Sequence, residues 1–167
     1  MATSNIKPGK IAGVKIKKLK VWKDKPDLKQ KAEPGIFAEI LRDDEKLLKH
    51  FGQSNFTIAH KDTIKAFHWH KYQDDLWFSP TGRVGVVLYD RRDGSPTKGQ
   101  TEVIFAGKDD YKLILIPQGV VHGYKVLSDE ISILIYHVTK SYNPKNPDEK
   151  RIDPFDPQIG FNWNSLR

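Results

Sequence analysis

The chain has 167 residues, 38% of them hydrophobic and 11% aromatic, which is enough for one domain with a real core and excludes wholesale disorder. It has no cysteine, which excludes disulfide scaffolds, thiolate metal sites and cysteine nucleophiles, and fits a reducing compartment. The net charge of +7 is concentrated: residues 1–25 hold eight lysines against one acid, Asp24, while the remainder is balanced.

Residues 1–25 read as a lysine-rich arm with one strand, Val14–Trp22, in which lysine discourages edge-to-edge aggregation. A nucleic-acid-binding arm is the sharper alternative, but the run has no Arg and a single aromatic, Trp22, so no nucleic-acid partner is expected. Next come a strand at Gly35–Leu41 and the one helix-like segment, Arg42–Phe51, with acids early and bases late. Short runs rich in Val, Ile, Tyr and Phe follow at Phe56–Ala59, Thr63–His70, Leu76–Phe78, Arg83–Tyr89, Glu102–Phe105, Tyr111–Ile116, Gly123–Leu127 and Ile131–Val138. Turn signals separate them, among them Asp93-Gly94-Ser95-Pro96 and Pro117-Gln118-Gly119. From Ser141 the chain is rich in Pro, Asn and Asp. The expected organisation is an arm (1–25), an all-β sandwich or barrel with one short helix (26–140), and a loop-rich tail packed on it (141–167). No apolar run approaches the ~18 residues of a membrane helix, and no apolar segment follows the basic N-terminus. The expectation is a cytoplasmic protein with no membrane partner.

Strand alternation places the polar residues. In Ile64–His70, His68 and His70 share a face with Ala66 and Ile64. In Ile131–Val138, Ser132, Leu134, Tyr136 and Val138 face away from Ile131, Ile133, Ile135 and His137. The strongest signal is His68-Trp69-His70, then Asp75 and Gly82, then Pro117-x-Gly119-x-x-His122. Two histidines on one strand face, with a third after Pro-x-Gly, point to a shared pocket rather than to isolated core histidines. His50, His60 and His137 read as structural. Trp69 and Trp77 read as packing or pocket walls.

These residues resemble the two cupin motifs, with Asp75 where Glu is usual. From about Pro34 onward the chain resembles the dTDP-4-dehydrorhamnose 3,5-epimerase family. The matching stretches, in order, are Gln53-Ser54-Asn55, Lys65-Ala66-Phe67-His68, Gly82-Arg83-Val84 leading to Asp90-Arg91-Arg92, and Ser95-Pro96-Thr97. They continue with Ile116 to Tyr124, Ile135-Tyr136, Tyr142-Asn143-Pro144, and Asp156 to Trp163. The resemblance implies a cupin double-stranded β-helix, or jelly roll, of two antiparallel sheets. It also implies a homodimer, here through the N-terminal strand.

The same resemblance implies chemistry without a metal or other cofactor, on a nucleotide-linked 4-keto-6-deoxy sugar. His68 would abstract a proton beside the ketone, Asp156 would orient His68, and Tyr136 would be the acid across the pocket. Gln53, Asn55, Lys65, His70, Asp75, His122 and Tyr142 would bind substrate. Asp75 stands where the family has Lys, Lys65 where it has Arg, His70 where it has Gln, and Pro34 where its Glu-Arg-Gly has Arg. Two other readings stay open. One is a metal-dependent cupin using His68, His70, Asp75 and His122. The other is a non-catalytic binder of sugar nucleotides or carbohydrate.

Overall fold

The computed structural model describes residues 5–25 and 34–167. Its strands are β1 (Ile6–Pro8), β2 (Lys15–Lys18), β3 (Val21–Lys23), β4 (Ile36–Ala38), β5 (Gln53–Ala59), β6 (Ile64–His70) and β7 (Asp75–Thr81). They continue with β8 (Arg83–Asp90), β9 (Thr101–Gly107), β10 (Lys112–Ile116), β11 (Val120–Val126), β12 (Ser132–Val138) and β13 (Glu149–Arg151). Six form one antiparallel sheet in the order β1-β2-β10-β7-β12-β5, and five form a second in the order β13-β6-β11-β8-β9. β3 and β4 make a separate ribbon. This is the expected jelly roll. The Glu33 of the Glu33-Pro34-Gly35 stretch lies outside the described residues, as do the first residues of the arm.

The alternation of side chains builds the layers. Ile114 and Ile116 of β10, Val84, Val86 and Leu88 of β8, and Leu134 of β12 meet between the sheets. Leu113 and Leu115 point the other way, onto a second cluster with Leu76, Phe78, Leu19 and Leu47. On the far face of the five-stranded sheet, Phe67, Val87 and Val121 are covered by Trp163 and Leu166 of the C-terminal tail. Leu113–Ile116 of β10 are thus covered on both faces of the six-stranded sheet, which is why they read as an unbroken apolar run.

Three local expectations need correction. Arg42–Phe51 is not a helix; only a 3-10 turn forms, at Asp43–Glu45. Lys46 then turns left-handed (φ 49°) and stops it. Leu47 is buried under the six-stranded sheet while Phe51 stays 61% exposed, so no single helical face could serve both. The lysine-rich Val14–Trp22 is two strands, not one. β2 lies between β1 and β10 and its backbone is paired within its own chain, so it has no need of a partner's sheet. Lys17 on it is buried, donating to Glu45 at 2.5 Å and to the Ile40 carbonyl at 3.2 Å. Finally, β6 carries an extra residue: His68 pairs His122, but Lys65 pairs Tyr124. This bulge breaks the alternation, so Ile64 and Ala66 pack with the outer cluster instead of sharing the inward face of His68 and His70.

The Asp90-Arg91-Arg92 and Ser95-Pro96-Thr97 stretches serve the fold. Buried Asp90 accepts from Arg92, Ser95 and Thr97, while Arg92 and Thr97 also bond the backbone of Ala12. No helix among the described residues is long and apolar enough to cross a membrane.

Candidate functional site

A cavity of about 1300 Å³ opens between the two sheets at one end. β6 contributes His68 and His70 from the five-stranded sheet. β7 and β12 contribute Asp75, Trp77 and Tyr136 from the six-stranded sheet. The segment 140–151 supplies the rest of the mouth, including Lys140, Tyr142, Asn143 and Arg151.

The deepest part is a tetrad. One ligand atom from each of His68, His70, Asp75 and His122 lies within 4.8 Å of the other three, and His68 alone among them is not fully buried. His68 and His122 are direct partners across β6 and β11, with ring centroids 4.2 Å apart. The Nδ1 of His122 is 2.9 Å from the Val120 carbonyl, which only a protonated Nδ1 can satisfy. Its Nε2 then stands 3.6 Å from Asp75 Oδ2, and His70 Nε2 stands 3.8 Å from Asp75 Oδ1, both beyond hydrogen-bond length. Asp75 is held instead by the Gln73 amide at 2.8 Å and the Trp77 indole N–H at 3.1 Å.

The electrostatics follow from burial. Burial, reinforced by the charge of His122, pushes His68 down to about 2 against the opposing pull of Asp75. Burial lowers His70 as well. Burial alone would raise the Asp75 carboxyl, but His122, His70 and Gln73 outweigh it and hold it below the usual carboxylate range. Tyr136 is raised, first by burial and then by the charges of Asp75 and Glu149, so its phenol keeps its proton. The cavity thus presents neutral imidazole on one wall and a protonated phenol on the other.

Of the residues expected from sequence, Gln53, Asn55, Lys65, His68, His70, Asp75, Tyr136 and Tyr142 all line the cavity. His122 sits behind His68 and shapes it from the second row. Gln53 bonds Asn55 and accepts the Tyr142 N–H. Lys65 bonds Thr57 and reaches the Ile58 carbonyl at 3.4 Å. Asp156 is not a lining residue, and its carboxylate accepts the Gln158 N–H at 2.7 Å, a turn-forming bond.

Sequence reasoning did not single out Gln73 or Tyr124. Tyr124 lines the cavity two residues beyond His122, and burial raises it to about 12. Counting by twos from His122 along β11 would have found it. Gln73 lies before β7 begins, where alternation gives no signal.

Residues 9–167 match the family model described as dTDP-4-dehydrorhamnose 3,5-epimerase. The chain is 53% identical over 155 residues to the spore coat polysaccharide biosynthesis protein SpsL of Bacillus subtilis, covering 93% of this chain and 97% of that one. It is 35% identical over 114 residues to the probable low-salt glycan biosynthesis epimerase Agl13 of Haloferax volcanii, covering 67% and 72%. Among solved structures it is similar to the epimerase RmlC of Legionella pneumophila in complex with dTDP-4-keto-L-rhamnose, with a TM-score of 0.79 and 30% identity over 95% of this chain and 82% of that one. A jelly roll of this build, matched over residues 9–167 and nearly end to end with SpsL, belongs to the dTDP-4-dehydrorhamnose 3,5-epimerase family.

Proposed function

We propose that the protein is a nucleotide-sugar epimerase that inverts one or both carbons flanking the ketone of a 4-keto-6-deoxy sugar nucleotide, for polysaccharide synthesis. The observation that carries this is the placement of His68 and Tyr136 on opposite walls of one cavity. The ketone acidifies the neighbouring C–H bonds. Neutral His68 takes a proton from one face, and Tyr136 returns one to the other face, so the centre inverts. Lys65, Lys71, Lys140, Lys150 and Arg151 line the cavity against Asp75, Asp148 and Glu149, a balance suited to a diphosphate. Gln53, Asn55 and Tyr142 bind substrate at the mouth. The part given to Asp156, orienting His68, rests on the sequence resemblance.

The test is incubation with dTDP-4-keto-6-deoxyglucose in deuterated water, read by mass spectrometry and proton NMR. Deuterium at a carbon beside the ketone is expected. Tight binding of the sugar nucleotide without exchange would instead mark a non-catalytic binder.

The chain also forms a homodimer in this reading. Support comes from apolar surface rather than from the paired strand β2: Trp22, Ile36 and Phe37 are exposed on the ribbon, and Phe56 and Ile58 on the edge strand β5. Light scattering showing a monomer at micromolar concentration would remove it. A nucleotide-linked substrate fits a cytoplasmic location, which cell fractionation checks.

A further inference from the structure

We infer that Arg151, aimed by Glu149, grips the β-phosphate of the sugar nucleotide and makes the site select a nucleoside diphosphate over a monophosphate. The inference rests on the epimerase reading and assigns one contact within it. The register of β13 carries it. β13 pairs with β6 so that Arg151 stands opposite His68, Glu149 opposite His70, and Lys150 opposite Trp69. Directly opposed residues of an antiparallel pair share a face of the sheet. Arg151 and Glu149 therefore fall on the side of the two histidines, and both line the cavity. The guanidinium is near enough to His68 for its charge to oppose protonation of that ring.

Arg151 is held at one point and open at the other end. Its Nε donates to Glu149 Oε1 at 2.7 Å, and among the described residues its two Nη groups donate to nothing. The pair is solvated, with Arg151 86% exposed, so their mutual attraction is weak and the guanidinium charge stays available. A guanidinium tethered through Nε presents its paired Nη edge, the fork that takes two phosphate oxygens at once. Other cations at the cavity are engaged elsewhere. Lys65 donates to Thr57 and the Ile58 carbonyl, while Lys71 and Lys140 each lie 4.9 Å from the centre of the Tyr72 ring. Lys150 has the outward parity of Trp69. Arg151 is thus the cation beside the base. In a nucleotide sugar, C5 next to the ketone is joined through the ring oxygen, the anomeric carbon and one bridging oxygen to the β-phosphorus. Neighbouring strands lie about 4.8 Å apart, so a sugar with its C5–H against His68 has its β-phosphate within reach of a long side chain on β13.

The test is calorimetric titration of the full chain with dTDP and UDP, and with dTMP and UMP as the monophosphate partners, at low and high salt. Arg151→Ala should weaken diphosphate binding by about 10–100-fold, leave monophosphate binding nearly unchanged and flatten the salt dependence. Arg151→Lys keeps the charge without the fork and should fall between the two. Glu149→Gln and Glu149→Ala carry the same charge, but only Gln can still accept the Nε–H, so weaker diphosphate binding by Ala isolates the orienting bond. Lys145→Ala, an exposed cation outside the cavity lining, should bind as the parent does. Diphosphate binding at the parent level in Arg151→Ala, or an equal loss for monophosphates, overturns the assignment of Arg151. Equal binding by the two Glu149 variants overturns the orienting role of Glu149. A parent that binds neither diphosphate overturns the inference as well. Deuterium exchange in the parent is measured separately, so the epimerase reading can stand when the Arg151 contact fails.

Discussion

His68 and His122 face each other edge to face at 4.2 Å across paired strands, and only His68 reaches the cavity. His122 therefore acts on His68 as a wall, excluding water from one side and opposing any charge on the ring.

If neutral His68 is the base, His68→Asn abolishes exchange of the ring proton with solvent, a loss of about 10²–10⁴-fold. Tyr136→Phe leaves abstraction intact and impairs delivery from the far wall, so exchange persists while inversion falls. Time courses of deuterium uptake and of product stereochemistry in both variants check the order. Inversion at the parent rate in Tyr136→Phe would take the acid role away from this residue.

Asp156 separates two roles cleanly. Asn at this position can still accept the Gln158 N–H and keep the turn. Asp156→Asn should then melt within about 0.5 kcal/mol of the parent. If the carboxylate also orients His68, exchange drops by about 10²-fold or more with little change in KM. Unchanged kinetics would leave Asp156 a turn residue.

Acid should destabilise the protein from an unusually high pH. His68 and His70 are lowered in the fold, and unfolding returns both to their ordinary value near 6.5. Below that value the unfolded chain binds protons that the folded chain refuses, so stability is full above about pH 6.5 and falls as pH falls. Each ring contributes a slope of at most about 1.4 kcal/mol per pH unit. Asp75, held low, adds stability that is lost only as pH falls below the ordinary 3.8 toward its folded value. Urea titrations of chelator-treated protein between pH 7 and 5 measure the slope, which His68→Asn should reduce.

Lys17 ties the loop before β5 to β2. Its removal strands Glu45 and the Ile40 carbonyl at a largely buried site. Lys17→Ala is expected to cost about 2–4 kcal/mol, and Lys17→Ala with Glu45→Gln less than the sum of the two. Denaturant midpoints of the four proteins give the coupling.

Much of this was readable in sequence, and the failures have causes. Alternation put Tyr136 on the inward face of β12 because that strand pairs in regular register with β5 over its whole length. The same logic failed in β6, where the extra residue moves Ile64 and Ala66 to the other face, and a bulge without Gly or Pro leaves no mark in the sequence. The helix expected at Arg42–Phe51 had the right charge order for its first turn, but burial of Leu47 decided the rest. Val14–Trp22 read as an edge because its lysines suggested one. Lys17 is instead a buried partner of Glu45, a contact 28 positions away that no local pattern encodes.

The tail has a consequence for how the molecule opens. Among the described residues β13 is the outermost strand of its sheet, pairs only with β6, and continues into a reciprocal pair of bonds between Ile152 and Phe67. The same stretch lines the cavity through Asp148, Glu149, Lys150 and Arg151. Fraying of this strand therefore unzips part of the binding wall without disturbing the core, and ligand must work against that local unfolding. Amide hydrogen exchange at Phe67 and Ile152 becomes a meter of occupancy: saturation at 100 times the Kd should slow it by about 100-fold if opening expels the ligand.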